Sequence, residues 1–202
     1  MAYYLAGLAT MLLVGDLLGQ GTVQFNNRVT TGSGAQAPVV APVYGLDGVT
    51  PLTGTGFTAS LWAARSTDPD SALVQVAATP FRATTTASLM GFWQPPALAV
   101  AVPSVPSDPA IFAKFQVRVW DNMGGTITSW DQVQASSFVN RGFSQIFVVP
   151  YQLGGGDISP PTLQGLESFQ LCYAGGECPE PAPTAIMLAA LGLLAWRKWI
   201  RS

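Results

Sequence analysis

The sequence predicts an all-β fold, an antiparallel sandwich of Ig-like or jelly-roll-like kind, and three observations carry that expectation. Phe115, Val117 and Val119 alternate with Gln116, Arg118 and Trp120, so one side of that segment is apolar. A period of two is what a half-buried strand requires. Comparable short runs recur at residues 22–26, 39–44, 57–63, 73–77, 97–102 and 145–149, with turn residues between them. No gap between these runs holds a long amphipathic helix, which excludes a βαβ arrangement.

Taken in order, the chain opens with an apolar stretch over residues 1–19, read as an export signal. Gly15 breaks its hydrophobic run and Gly19 offers a small residue for cleavage before Gln20. It departs from the usual signal in lacking Lys or Arg ahead of the run and in carrying Asp16 behind it. The competing reading is a first buried helix of the domain. Residues 20–151 form the expected β domain. Its turns are Gly45-Leu46-Asp47-Gly48, Asp68-Pro69-Asp70, Gln94-Pro95-Pro96, Pro106-Ser107-Asp108-Pro109 and Asn122-Met123-Gly124-Gly125. One short helical turn is expected over 129–136, where Trp130, Val133 and Ser137 share a helical face. Residues 152–178 read as a linker or stalk with room for one last strand, since Gly154-Gly155-Gly156 and Pro160-Pro161 loosen the chain.

Composition agrees with one folded domain. The chain has 202 residues, 49% of them hydrophobic, which is too apolar for disorder. Charged residues make up 10%, against roughly 25% in an average soluble domain. Between residues 20 and 180 ten acids face six bases, so the body carries −4. That balance offers no electrostatic footprint for nucleic acid. The chain contains no histidine, which removes the commonest general base and every His-ligated metal site. The expectation is a protein without catalytic activity, cofactor or metal.

The last 24 residues, 179–202, are the most specific. Pro179-Glu180-Pro181 precede an apolar run over 182–196, and Arg197, Lys198 and Arg201 follow it. The prolines hold the backbone extended, in the form a processing enzyme grips. A helix of that run rises about 22 Å, short of the roughly 30 Å hydrocarbon core. Trp196, Trp199 and the basic side chains at the interface extend the span to about residues 182–200. The cations stay cytoplasmic, so Pro-Glu-Pro is expected on the outer side of the inner membrane.

This tail resembles the PEP-CTERM sorting signal of Gram-negative bacteria. The resemblance implies processing by a membrane-embedded exosortase, a transient stay in the inner membrane, and then the cell surface or extracellular matrix. Segments of the body, among them Gly21-Thr22-Val23-Gln24-Phe25-Asn26-Asn27-Arg28 and Phe115-Gln116-Val117-Arg118-Val119-Trp120-Asp121, resemble small exported PEP-CTERM proteins of verrucomicrobial type. Ala41-Pro42-Val43-Tyr44-Gly45, Gly142-Phe143-Ser144-Gln145 and Leu163-Gln164-Gly165-Leu166-Glu167-Ser168-Phe169 extend that likeness. It implies a location and no reaction. Cys178 stands where the family usually has Val or Thr.

Other candidates are weaker. Cys172 and Cys178 enclose five residues, a candidate disulfide worth roughly 2 kcal/mol at best in so small a ring. Asp68, Asp70, Asp121, Asn122 and Asp131 carry oxygen ligands suited to calcium, but they read first as turn residues. Trp93 and Trp120, if outward, would stack on sugars as in a carbohydrate-binding module, with exopolysaccharide as the partner; the competing reading is core packing. A hydrolase working with carboxylates alone is the third reading, and spacing singles out no pair.

Overall fold

The computed structural model describes residues 20–176. The segments read as export signal and sorting tail, 1–19 and 179–202, lie outside the described residues, as do Cys178 and every residue of the sorting motif. Among the described residues no helix is long and apolar enough to cross a membrane.

The described body is all-β, with mostly antiparallel pairing, one short α-helix and four 3-10 turns. In chain order the strands are β1 (Gln20–Val23), β2 (Arg28–Val29), β3 (Val39–Val40), β4 (Val43–Tyr44), β5 (Phe57–Arg65), β6 (Val74–Pro80), β7 (Val100–Pro106) and β8 (Ala113–Asp121). Helix α1 (Trp130–Ala135), β9 (Arg141–Phe143), β10 (Phe147–Val148) and β11 (Phe169–Gln170) complete it. The main sheet runs β10-β8-β5-β6, with β9 pairing the same edge of β8 as β10. Its centre is the antiparallel β5/β8 pair, in register from Phe57↔Asp121 to Arg65↔Ala113. Three two-stranded pairs surround it: β1 with β7, β2 with β3, and β4 with β11, the last parallel.

The alternation read from β8 is what the structure uses. Phe115, Val117 and Val119 are buried in one core with Ala59, Leu61 and Ala63 of β5. Val23, Phe25, Val102, Val105, Phe81 and Trp93 close that core from the other side. Burying side chains of this size contributes about 1.5–3 kcal/mol each, which makes this core the main source of stability.

Several boundaries shift. Strand β7 continues to Pro106, through Pro103, where the expected run ended at 102. Proline lacks the amide a central strand needs, and β7 pairs only with β1. Strands β2 and β9 were not anticipated, being two and three residues long. The helical turn falls at α1, closed by a capping box in which Ser129 and Gln132 satisfy each other's backbone amides.

The stretch read as a linker or stalk, 152–178, is corrected as far as its described residues reach. Leu153, Leu163, Leu166, Phe169 and Leu171 are all buried in the main core. Gly154 pairs with Thr22, and the Thr22 amide donates to the Gly154 carbonyl at 2.8 Å. Cys172 pairs with Arg141 through both backbone bonds, at 2.7 and 3.2 Å. Gly142 permits this, because a Cβ there would lie 2.3 Å from the Gln170 carbonyl oxygen. Glycine and proline here serve close packing rather than looseness.

Candidate functional site

The two tryptophans proposed to stack on sugars do not face outward. Trp93 and Trp120 are both 0% exposed. The Trp93 indole nitrogen donates to the Phe25 carbonyl at 3.1 Å, and its ring packs on Phe25 and edge-on against Phe81. Asn27, also buried, accepts from the Trp93 amide and donates to the carbonyls of Ala41 and Gly91. Trp120 donates to the Ile127 carbonyl and meets Trp130 edge-on. Both rings hold the fold together and neither is available to a ligand.

The oxygen-rich residues are likewise structural. The Asp70 carboxylate accepts from Lys114 Nζ at 2.6 Å, and Lys114 also donates to the Asp68 carbonyl. Asp121 Oδ1 accepts from the Met123 amide. Asn122 accepts from the Gly125 amide and donates to the Thr55 carbonyl, fixing a turn in which Gly124 takes a φ of 70°. Among the described residues no three His, Cys, Asp or Glu side chains group as metal ligands. Cys172 is engaged in a disulfide, and the sequence has one other cysteine, Cys178.

Two surfaces remain where chemistry is concentrated. The first is an open groove of about 430 Å³ at the rim of the main sheet. The loop after β4 contributes Asp47 and Thr50, the end of β8 contributes Asp121, and Asn140 and Tyr173 complete its polar and aromatic lining. Tyr173 is 69% exposed. The Asp47 carboxylate accepts from the Thr50 hydroxyl at 2.5 Å and from the amides of Thr50 and Val49. Those bonds, the Thr50 hydroxyl first, hold its pKa at about 2. Asp47 is therefore a fixed acceptor. A hydrolytic carboxylate pair needs one group kept protonated near neutral pH, and Asp47 is not that group. The groove's chemistry is hydrogen-bond acceptance beside an exposed ring.

The second surface is the outer face of β5/β8, opposite the core. Ser60 and Trp62 of β5 and Lys114, Gln116, Arg118 and Trp120 of β8 all project there, since they alternate with the buried set. Its ends are covered. Lys114 is 5% exposed beneath Asp68 and Asp70, and Trp120 lies under Trp130 of α1. Between them Gln116, Arg118 and Trp62 remain part-exposed, forming a saddle. The Arg118 guanidinium sits 3.9 Å from the Trp62 ring centroid and 5.1 Å from that of Trp130. Its Nε donates to Gln116 Oε1 at 2.8 Å, and the other Gln116 group donates to the Ser144 carbonyl. Burial lowers the Arg118 pKa, but a guanidinium stays cationic at neutral pH regardless.

Neither surface was singled out from sequence. Asp47 read as a turn residue, and Asn140 and Tyr173 reach the groove from distant chain positions. For the saddle a signal existed, because Lys114, Gln116, Arg118 and Trp120 form the polar side of the strand whose apolar side was recognised.

No family model, curated protein or solved structure matches this chain.

Proposed function

We propose that the chain is an exported cell-envelope or extracellular-matrix protein of PEP-CTERM type, sorted and cleaved by an exosortase, with no catalytic activity of its own. The observation that carries this reading is the order of parts at residues 179–202: Pro179-Glu180-Pro181, an apolar run, then Arg197, Lys198 and Arg201. Among the described residues the last strand pairing is that of Cys172 with Arg141, and Tyr173 and Gly176 beyond it are exposed. In this reading residues 1–19 are the export signal and about 182–200 the transient membrane helix. The body is a β-sandwich, with the main sheet on one side of the core and β1/β7 with its neighbouring segments on the other. Mass spectrometry of the protein from cells with and without an exosortase tests the reading. The expected result is loss of the residues following the Pro179–Pro181 region only where the enzyme is present. Equal masses in both, with Lys198 retained, overturn it.

A second reading, a module binding exopolysaccharide, is favoured by one observation. The domain presents the exposed Tyr173 beside hydrogen-bonding groups in the groove, and on the saddle the part-exposed Arg118 over the Trp62 ring. An exposed ring next to polar side chains suits a sugar, which offers an apolar face and hydroxyl groups at its edge.

A further inference from the structure

We infer that the saddle between Lys114 and Trp130 is a site for an acidic saccharide, in which the Arg118 guanidinium, held over the Trp62 ring, takes the carboxylate of a uronic acid. The inference rests on the polysaccharide-binding reading and is independent of the sorting signal.

The state of Arg118 is the first reason. Its guanidinium lies 3.9 Å from the Trp62 ring centroid and 5.1 Å from that of Trp130, and these two cation–π contacts hold it in place. Among the described residues only Nε has a protein acceptor, Gln116 Oε1. Among the described residues no carboxylate pairs with Arg118, and the one salt bridge is that of Lys114 with Asp70. A partly buried cation without a counter-ion forgoes solvation that an incoming oxyanion restores. The two terminal nitrogens present a planar fork, and that fork matches a carboxylate in bidentate fashion.

Selectivity is the second reason. The body carries −4 overall, so an acidic polymer is repelled from most of its surface. The outer face of β8 is different, since Lys114 and Arg118 both project there, and Asp70 neutralises Lys114 while no carboxylate among the described residues neutralises Arg118. The groove at Asp47 and Asp121 has the opposite character and would repel the same ligand. A uronate is thus directed to one place on the molecule. The Trp62 ring under the guanidinium, held by its own bond to Ser60 Oγ at 2.9 Å, supplies a rigid base that keeps the fork in place.

Binding of the full-length protein in detergent micelles to immobilised polygalacturonate, to the same polymer with its carboxyl groups reduced to alcohols, and to dextran tests the inference. The expected result is binding to polygalacturonate that falls at least tenfold on the reduced polymer, the loss associated with one charge-assisted pair. Arg118→Lys keeps the aliphatic stem and the cation against Trp62, so the variant folds, but it removes the fork. Its binding should fall about fivefold or more while its thermal melt stays cooperative. Equal affinity of Arg118→Lys and parent overturns the inference. Equal binding of the reduced and native polymers also overturns it, while leaving a neutral-glycan reading of the domain in place. Binding to none of the three overturns it together with the polysaccharide reading, and leaves the sorting signal to its own test.

Discussion

The two faces of the β5/β8 pair are built from the same two strands and held together by different physics. The inner face carries Ala59, Leu61, Ala63, Phe115, Val117 and Val119, all buried, and its cohesion is the removal of apolar surface from water. Across the backbone, Ser60, Trp62, Gln116 and Arg118 form a chain of directed contacts. Ser60 donates to the Arg118 carbonyl, Trp62 donates to Ser60, Arg118 to Gln116, and Gln116 to the Ser144 carbonyl. An apolar face is tolerant of which neighbour it meets but intolerant of charge. A hydrogen-bonded face tolerates charge and instead demands geometry. A strand can therefore commit one side to stability and leave the other for recognition.

That contrast breaks first at Val117. Replacing it with Asp places an unpaired carboxylate among Leu61, Phe115 and Phe147, and burying such a charge costs more than about 4 kcal/mol. The expected outcome is loss of the cooperative melt, read by circular dichroism. A variant melting within a degree or two of the parent would show that the inner face is not the core.

One residue earlier the same charge should be nearly harmless. Gln116→Glu loses the donor to the Ser144 carbonyl but meets Arg118 with a charge-assisted bond, so the net change should stay within about 1 kcal/mol. Urea denaturation measures it. A loss comparable with that of Val117→Asp would erase the distinction between the faces.

The smallest effect lies at the rim, away from both faces. Thr50→Val removes the hydroxyl that contributes most to holding Asp47 at about 2, and the pKa should rise toward the ordinary carboxylate value of 3.8. The sign follows from the depressed folded value: the contribution of Asp47 is present above the unfolded pKa and is lost as pH falls through about 2. Carbon-detected NMR titration of the Asp47 carboxyl reads the shift. An unchanged midpoint would mean that the loop amides of Val49 and Thr50 suffice alone.

The sorting tail belongs to a different regime from all of these, because its parts are contiguous. Pro179-Glu180-Pro181 and the cations after residue 196 are legible without any fold. The groove is the reverse case. Asp47, Asp121, Asn140 and Tyr173 are separated by many residues, and only the return of the chain past β9 brings them to one rim. Tyr173 carries no sequence signal of exposure, and Trp93 and Trp120 carried a misleading one. An indole has apolar area suited to either a core or a sugar, and what buried these two was the availability of the Phe25 and Ile127 carbonyls for their N–H groups.

What the sequence determined by itself were properties of period and neighbourhood. They include the all-β class, the inner face of β8, the turn at Asn122 to Gly125, the helical turn within 129–136, and the charge balance. Each follows from interactions between residues a few positions apart, where backbone geometry alone sets which side chains meet. Tertiary structure decided the rest. It packed Leu153, Leu163, Leu166, Phe169 and Leu171 into the core instead of leaving that stretch as a stalk, and Gly142 allowed the backbone to approach. It also left Arg118 without a carboxylate partner among the described residues. Long-range packing chooses among partners that local patterning leaves equivalent, and so the surfaces open to recognition emerged only with the fold.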